Sequence, residues 1–310
     1  MGIKRLDLKV GFACNNNCRF CVVADKRRLG NLSTVQLKEN IVSGARSGAK
    51  EIVFTGGEVT LRKDLLELIR FARDQGFTRL QLQSNCRMLF YKDFIDKLLD
   101  AGINEFSPSI HGSTPEVHDD LVRAPGAYKQ TLGAIRNLVD MDLLVLTNTV
   151  ITRQNYEQLP QIAQILIDIG VMQYQFAFVH AEGNAYKNFD EIVPRKSVIQ
   201  PYVHKGVDLG AESGTSVMVE AYPFCFMVGR EQFCSELFIP ETEVREADRV
   251  LENFSEVRRN VAKLKGPDCP RCRYNPICEG PWKEYPEKFG WEEFVPVPGQ
   301  PITDRLELLQ

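Results

Sequence analysis

The 310-residue sequence predicts an α/β fold in which a parallel sheet is covered by helices, with a small cysteine-rich unit appended at the C-terminal end. Three observations predict it. Short β-type runs alternate with helix-type periodicity six or seven times before about residue 210. Five of those runs end in polar or glycine-rich text. Beyond residue 210 the alternation gives way to irregular sequence that holds five of the nine cysteines. Strands joined through helices run the same way, so the sheet is an open doubly wound one or a full or partial barrel.

The elements follow in order. "LDLKVGF" (6–12) is a first strand, and after a cysteine loop Ser33 and Gln36 form a capping box for a helix that buries Leu37 and Ile41. "EIVF" (51–54) is a second strand, followed by a helix with Leu65, Leu68, Ile69 and Ala72 on one side and Gly76 at its end. The pattern recurs as strand "RLQLQ", helix "DFIDKLLDAG", strand "NEFSPSI", helix "GAYKQTLGAIRNLV", strand "LLVLTNTVI", helix "YEQLPQIAQILIDIG" and strand "MQYQFAF". The endings "TGGE", "QSN", "SIHG", "TNT" and "HAEG" then collect at the carboxyl end of the sheet, where barrels and open sheets place their active sites. Past residue 210 we expect a hairpin around "YPFCFMVGREQFCSELFIP", a helix near 244–263 and a knuckle "CPRCRYNPIC". This divides the chain into 1–210 and 211–310.

Composition narrows the function classes. A formal charge of -3 leaves no basic surplus for nucleic acid or an anionic membrane. The N-terminus lacks the apolar stretch of a signal peptide, and no run approaches the ~20 apolar residues that span a bilayer, so a soluble cytoplasmic protein is expected. Nine clustered cysteines suit metal ligation in a reducing compartment better than a disulfide scaffold.

"FACNNNCRFCVV" (12–23) places Cys14, Cys18 and Cys21 in a C-x3-C-x2-C arrangement behind the first strand. Asn15, Asn16 and Asn17 tolerate left-handed backbone, and a curled loop can aim N–H groups at anionic sulfur. Structural zinc usually takes four ligands, often as C-x2-C pairs. An iron-sulfur cube held by three cysteines keeps one iron open to a substrate or cofactor.

C-x3-C-x2-C after strand one, joined to "TGGE" after strand two, resembles the radical S-adenosylmethionine (AdoMet) superfamily. The resemblance implies a partial (β/α)6 TIM-like barrel whose 4Fe-4S cluster binds AdoMet. Reductive cleavage then yields a 5'-deoxyadenosyl radical that takes a hydrogen from substrate, the electron coming from a reductase such as flavodoxin or ferredoxin. It also implies site residues. Gly56 and Gly57 give backbone approach to the methionyl part, Glu58 pairs with its ammonium group, and Phe20 meets the adenine. Ser84 and Asn85 match a Thr-Asn-Gly ending in which Cys86 replaces the glycine, Cys86 itself being read as a small buried residue. Ser109 contacts ribose or carboxylate, Arg123 pairs with the methionyl carboxylate, and Asn148 is a further candidate. His111 stands where many relatives have Asp and would titrate near neutral pH as an acid or base, although a structural imidazole is the simpler reading. His180 and Glu182 are candidates for substrate contact.

Cys269, Cys272 and Cys278 form C-x2-C-x5-C, which resembles the SPASM and twitch domains that carry auxiliary 4Fe-4S clusters. The SPASM pattern continues with a cysteine where this chain has Trp282, so one auxiliary cluster is expected. Cys225 is preferred over Cys234 as its fourth ligand. If neither reaches, that cluster also keeps an open iron. Cys234 is then a packed thiol or a catalytic hydrogen-atom donor. The chain begins close to the first strand, which favours a small-molecule substrate over a peptide; a SPASM-type peptide maturase is the alternative. A redox carrier or zinc-stabilised interaction protein is the alternative of another class.

Overall fold

The computed structural model describes residues 4–309. Strands β1 (Arg5–Lys9), β2 (Glu51–Thr55), β3 (Arg79–Ser84) and β4 (Glu105–Pro108) pair in parallel in chain order. Helices α1 (Thr34–Arg46), α2 (Leu65–Asp74) and α3 (Lys92–Ala101) connect them. Two helices, α4 (Pro115–Val122) and α5 (Ala127–Asp140), lead on to β5 (Leu146–Ile151), α6 (Leu159–Ile169) and β6 (Gln173–Phe178). Short helices α7 (Gly183–Lys187) and α8 (Phe189–Ile192) precede the long α9 (Lys196–Ser213), and β7 (Ser216–Glu220) pairs in parallel with β6. Bridges Phe106–Val145 and Ser109–Asn148 join β4 to β5, so β1 to β7 form one parallel wall. This is the partial barrel.

The local reasons are those the sequence carries. Ser33 and Gln36 make both hydrogen bonds of the capping box, and α1 buries Leu37 and Ile41 against the sheet. Strand residues alternate: Leu6, Leu8, Leu80, Leu82, Tyr174 and Phe176 are buried. Each such side chain contributes about 1.5–3 kcal/mol by leaving water. The opposite set, including Asp7, Gln81, Ser107, Asn148 and Gln175, lines a polar lumen of about 420 Å³.

Three expectations need correction. The parallel wall has a seventh strand beyond residue 210, because α9 and β7 escape a periodicity reading. Pro201 lies inside α9, and Gly206 and Gly210 replace apolar residues there. Both glycines are packing sites: an added Cβ would sit 2.6 Å from the Phe176 ring and 2.4 Å from the Tyr174 hydroxyl. The hairpin expected at 222–240 is instead three short 3-10 turns, Phe224–Phe226, Glu231–Phe233 and Ser235–Leu237. Phe224 and Phe226 are held by packing against Tyr274 and Phe294 rather than by strand pairing.

The helix expected near 244–263 is instead strand β8 (Thr242–Arg245), a two-residue β9 (Val250–Leu251), a one-turn α10 (Phe254–Val257) and a π-turn at 258–262. β8 pairs in parallel with the free edge of β1, while Cys234 bridges to Val219 on β7. The intervening chain therefore spans from one edge of the wall to the other. The unpaired backbone groups of β1 decide this, and local pattern cannot report them. The last helix, α11 (Glu284–Phe289), follows the cysteine knuckle. Among the described residues no helix is long and apolar enough to cross a membrane.

Candidate active site

The loop 12–23 leaves β1 without regular structure, and its backbone is clamped from several sides. Gly57 N–H donates to Gly11 O and Glu58 N–H to Ala13 O, each at 2.8 Å; Asn17 N–H donates to Val122 O at 3.0 Å. The Asn184 amide donates to Cys18 O at 2.9 Å, and the Arg27 guanidinium to Asn16 O at 2.7 Å. None of Asn15, Asn16 and Asn17 takes the left-handed conformation expected of them. Two act through side chains instead: Asn15 Oδ1 accepts from Asn85 at 2.7 Å, and Asn16 Oδ1 from Arg87 at 3.0 Å. The loop does aim backbone at sulfur, as Asn16 N–H lies 3.4 Å from Cys14 Sγ.

Cys14, Cys18 and Cys21 face a cavity of about 400 Å³ at the carboxyl ends of the strands. Every polar strand ending contributes to its wall: Gly56, Gly57 and Glu58 after β2, Ser84 and Asn85 after β3, Ser109 and His111 after β4, Asn148 on β5, and His180 after β6. Phe20 also lines it. Burial pushes the pKa of each of the three thiols up, and for Cys18 the neighbouring Cys21 and Cys14 add to the rise. Three such thiolates coexist only with a positively charged partner. Three thiols are one short of the four ligands that a closed structural zinc site takes. The donor set suits a larger body, as an iron-sulfur cube is.

Glu58 is 3% exposed and, among the described residues, forms no ion pair with a lysine, arginine or histidine. Its Oε1 accepts from Thr60 N–H at 3.0 Å, Thr60 Oγ1 at 2.6 Å and Ser84 Oγ at 2.7 Å. Its Oε2 accepts only Asn85 N–H, at 2.8 Å, and keeps an acceptor position free. Gly57 permits the clamp on the cysteine loop: an added Cβ would stand 2.2 Å from Ala13 O and 2.7 Å from Phe12 C. Gly57→Ala should therefore displace the loop, costing about 1–3 kcal/mol of stability. Thermal unfolding and iron content, both lowered, check this.

Two residues depart from expectation. Arg123 is exposed and does not line the cavity. It caps α4 at φ 52°, a left-handed turn that sends its side chain outward beside Glu116, Asp119 and Asp120 while Val122 faces in. The cations that do reach the cavity are Lys9 and Arg27, which the sequence reading missed; the Arg-Arg pair following the loop was the available signal. His111 is buried and its pKa sits well below the usual histidine range, because burial and then His118 disfavour its charge. Its Nδ1 accepts Val150 N–H at 3.2 Å and its ring meets Phe20 edge-on. It does not titrate near neutral pH. Cys86 is buried at φ 58°, a conformation that favours the glycine it replaces.

A second, smaller cavity is lined by Cys225, Cys269, Cys272 and Cys278 together. Backbone N–H groups of Gly266, Gly280 and Val297 point at Cys269, Cys278 and Cys272 Sγ, at 3.2, 3.3 and 3.4 Å. Cys234 lines neither cavity and is 1% exposed beside β7. That placement removes it from hydrogen-atom donation to the main cavity. Trp282, standing at the position of the missing SPASM cysteine, packs into the main cavity wall with Phe254.

The family model described as "Radical SAM superfamily" matches residues 8–166. The chain belongs to that superfamily. It is thus an enzyme of the radical SAM class, whose cofactors are AdoMet and a 4Fe-4S cluster, against the redox-carrier and zinc-protein alternatives. An AdoMet-dependent heme synthase of Methanosarcina barkeri is 28% identical, with 86% of this chain and 87% of that protein aligned. A PqqA peptide cyclase of Bradyrhizobium diazoefficiens is 30% identical over 60% of this chain, which spans only 49% of that cyclase. Among solved structures, Streptococcus suis SuiB bound to S-adenosylmethionine superposes with a TM-score of 0.67 at 14% identity, over 90% of this chain and 73% of SuiB. At that identity the likeness is one of fold.

Proposed function

We propose that this radical SAM enzyme abstracts a hydrogen atom from a small-molecule substrate in the cavity lined by the three-cysteine loop. Cys14, Cys18 and Cys21 would hold the first cluster. When bound, the cluster supplies the electron, delivered by a reductase such as flavodoxin or ferredoxin, that splits AdoMet to methionine and the 5'-deoxyadenosyl radical. The chain's own share is positioning. Glu58 Oε2 offers an acceptor to the AdoMet ammonium, fixed by the Thr60, Ser84 and Asn85 donors. Gly56 and Gly57 keep the backbone close to the methionyl part, Phe20 supplies an apolar wall for adenine, and Ser109 and Asn148 offer hydrogen bonds. Arg27 and Lys9, in place of Arg123, are the cations of this cavity that could meet a carboxylate.

The observation that carries this reading is the convergence of the three thiols and five strand endings on one cavity of about 400 Å³, a size suited to small ligands. The heme synthase similarity over most of both chains favours a small molecule; the cyclase similarity favours the alternative, a residue within a peptide. Anaerobic turnover with deuterated candidates separates them, since only the true substrate transfers deuterium into 5'-deoxyadenosine.

Cys225, Cys269, Cys272 and Cys278 are proposed as the four ligands of one auxiliary 4Fe-4S cluster, within a C-terminal unit that begins after the parallel wall. Cys225→Ala should remove that cluster's iron, while Cys234→Ala should leave iron content unchanged. An iron count with Mössbauer or EPR spectroscopy of the reduced protein checks both.

A further inference from the structure

One imidazole and two carboxylates converge where the main cavity meets a neighbouring recess. Donor atoms of His180, Glu182 and Glu284 all lie within 4.8 Å of one another. His180 faces the main cavity, and both glutamates face the recess. His180 Nε2 is 3.4 Å from Glu284 Oε2 and 3.9 Å from Glu182 Oε1. Even so, His180 Nε2 and Glu284 Oε2 are buried atoms without a hydrogen-bond partner. Glu284 as a residue is only 8% exposed, and its Oε2 has lost water with no better donor than the His180 nitrogen at 3.4 Å.

The arrangement is built rather than incidental. His180 stacks on Trp282 with ring centroids 4.0 Å apart and planes 10° from parallel, which fixes the direction of Nε2. Glu284 opens α11, bringing the C-terminal region against the end of β6. Lys26, Lys187 and Arg249 also line the recess; Lys26 and Arg249 pair with Glu246 and Asp248, and Lys187 is an exposed residue at the end of α7. Among the described residues no lysine or arginine pairs with Glu182 or Glu284. One neutral imidazole and two carboxylates carry the charge that balances a divalent cation, with donors suited to manganese, iron or zinc.

We propose that His180, Glu182 and Glu284 bind a divalent cation at the mouth of the cavity. Three protein ligands leave positions open toward the cavity, where the ion takes an anionic oxygen, such as a carboxylate, of the substrate. The metal site stands independently of the radical reading; its contact with substrate rests on it. The competing account is a contact of His180 with the two carboxylates that holds no ion.

The test uses protein reconstituted anaerobically with its iron-sulfur clusters, so that the cysteines are occupied, and titrated with Mn²⁺ followed by EPR. We expect one bound Mn²⁺ per chain with nitrogen coupling from an imidazole. Glu182→Gln, at a half-exposed position, should weaken binding at least about tenfold. His180→Gln should remove the nitrogen coupling, and Glu287→Gln on the exposed side of α11 should change nothing. Absence of bound Mn²⁺, binding without nitrogen coupling, or equal affinity in Glu182→Gln and the unaltered protein would each overturn the proposal. None of these readouts depends on AdoMet cleavage.

Discussion

Cys18→Ala should abolish 5'-deoxyadenosine formation, by more than about a hundredfold, since even changes beyond the ligands of a metal site cost about 10–100-fold. Cys18 is the middle thiol of the loop, and its carbonyl is tied to Asn184. No other cysteine can take its place: Cys86 is fully buried behind the β3 ending, and the remaining five belong to the C-terminal region. Cys272→Ala lies in the second cysteine set and should retain part of AdoMet cleavage while losing substrate turnover. Iron counts separate the two losses. Two intact cubes give about eight iron atoms per chain, and either variant should fall to about four. Equal loss of 5'-deoxyadenosine in both variants would contradict separate roles for the two sets.

Lys263→Met should destabilise the fold by about 3–5 kcal/mol, because removing one member of a buried ion cluster strands its partners. Lys263 is 3% exposed, and its ammonium donates to Glu236 at 2.7 Å and Glu279 at 3.0 Å. Glu279 keeps a two-pronged pair with Arg258, both contacts at 2.9 Å. Glu236 keeps only the Ala221 N–H at 2.8 Å, so it bears most of the loss. The double variant Lys263→Met with Glu236→Gln should recover part of it. Denaturant midpoints under anaerobic conditions report both.

The same cluster sets an acid limit. Burial alone would raise the Glu279 pKa, but Lys263 and Arg258 outweigh it and bring the group down to about 2. A carboxylate depressed in the folded state stabilises fully above its ordinary value near 4.5, and that contribution is lost as pH falls through about 2. Glu279 adjoins Cys278 and Glu236 holds the turn after β7, so acid should loosen the second cysteine set from the barrel.

What could be read in advance was whatever depends on near neighbours. The capping box of Ser33 and Gln36, the apolar side of α2 and the strand alternation are consequences of residue spacing, and they appear where spacing puts them. The three-cysteine loop and Gly-Gly-Glu are also local, because glycine is needed where backbone meets backbone. The tertiary structure decided the rest. Arg123 faces solvent because one helix ends in a left-handed turn, and Arg27 reaches the cavity from a segment without a regular pattern. Burial pushes the His111 pKa down, and that burial comes from distant parts of the chain. Cys225 joins the knuckle, and Cys234 does not, because turns packed on aromatic side chains place one thiol in the second cavity and press the other against β7.

The alternating parallel architecture and the C-x3-C-x2-C loop behind the first strand were both legible along the chain. Both follow from periodicity and spacing within about twenty residues. The seventh strand, the segment that crosses from β7 to β1, the cations of the cavity and the company each buried group keeps came from packing in three dimensions. Backbone pairing and desolvation act between residues that are distant along the chain, and neither leaves a local mark.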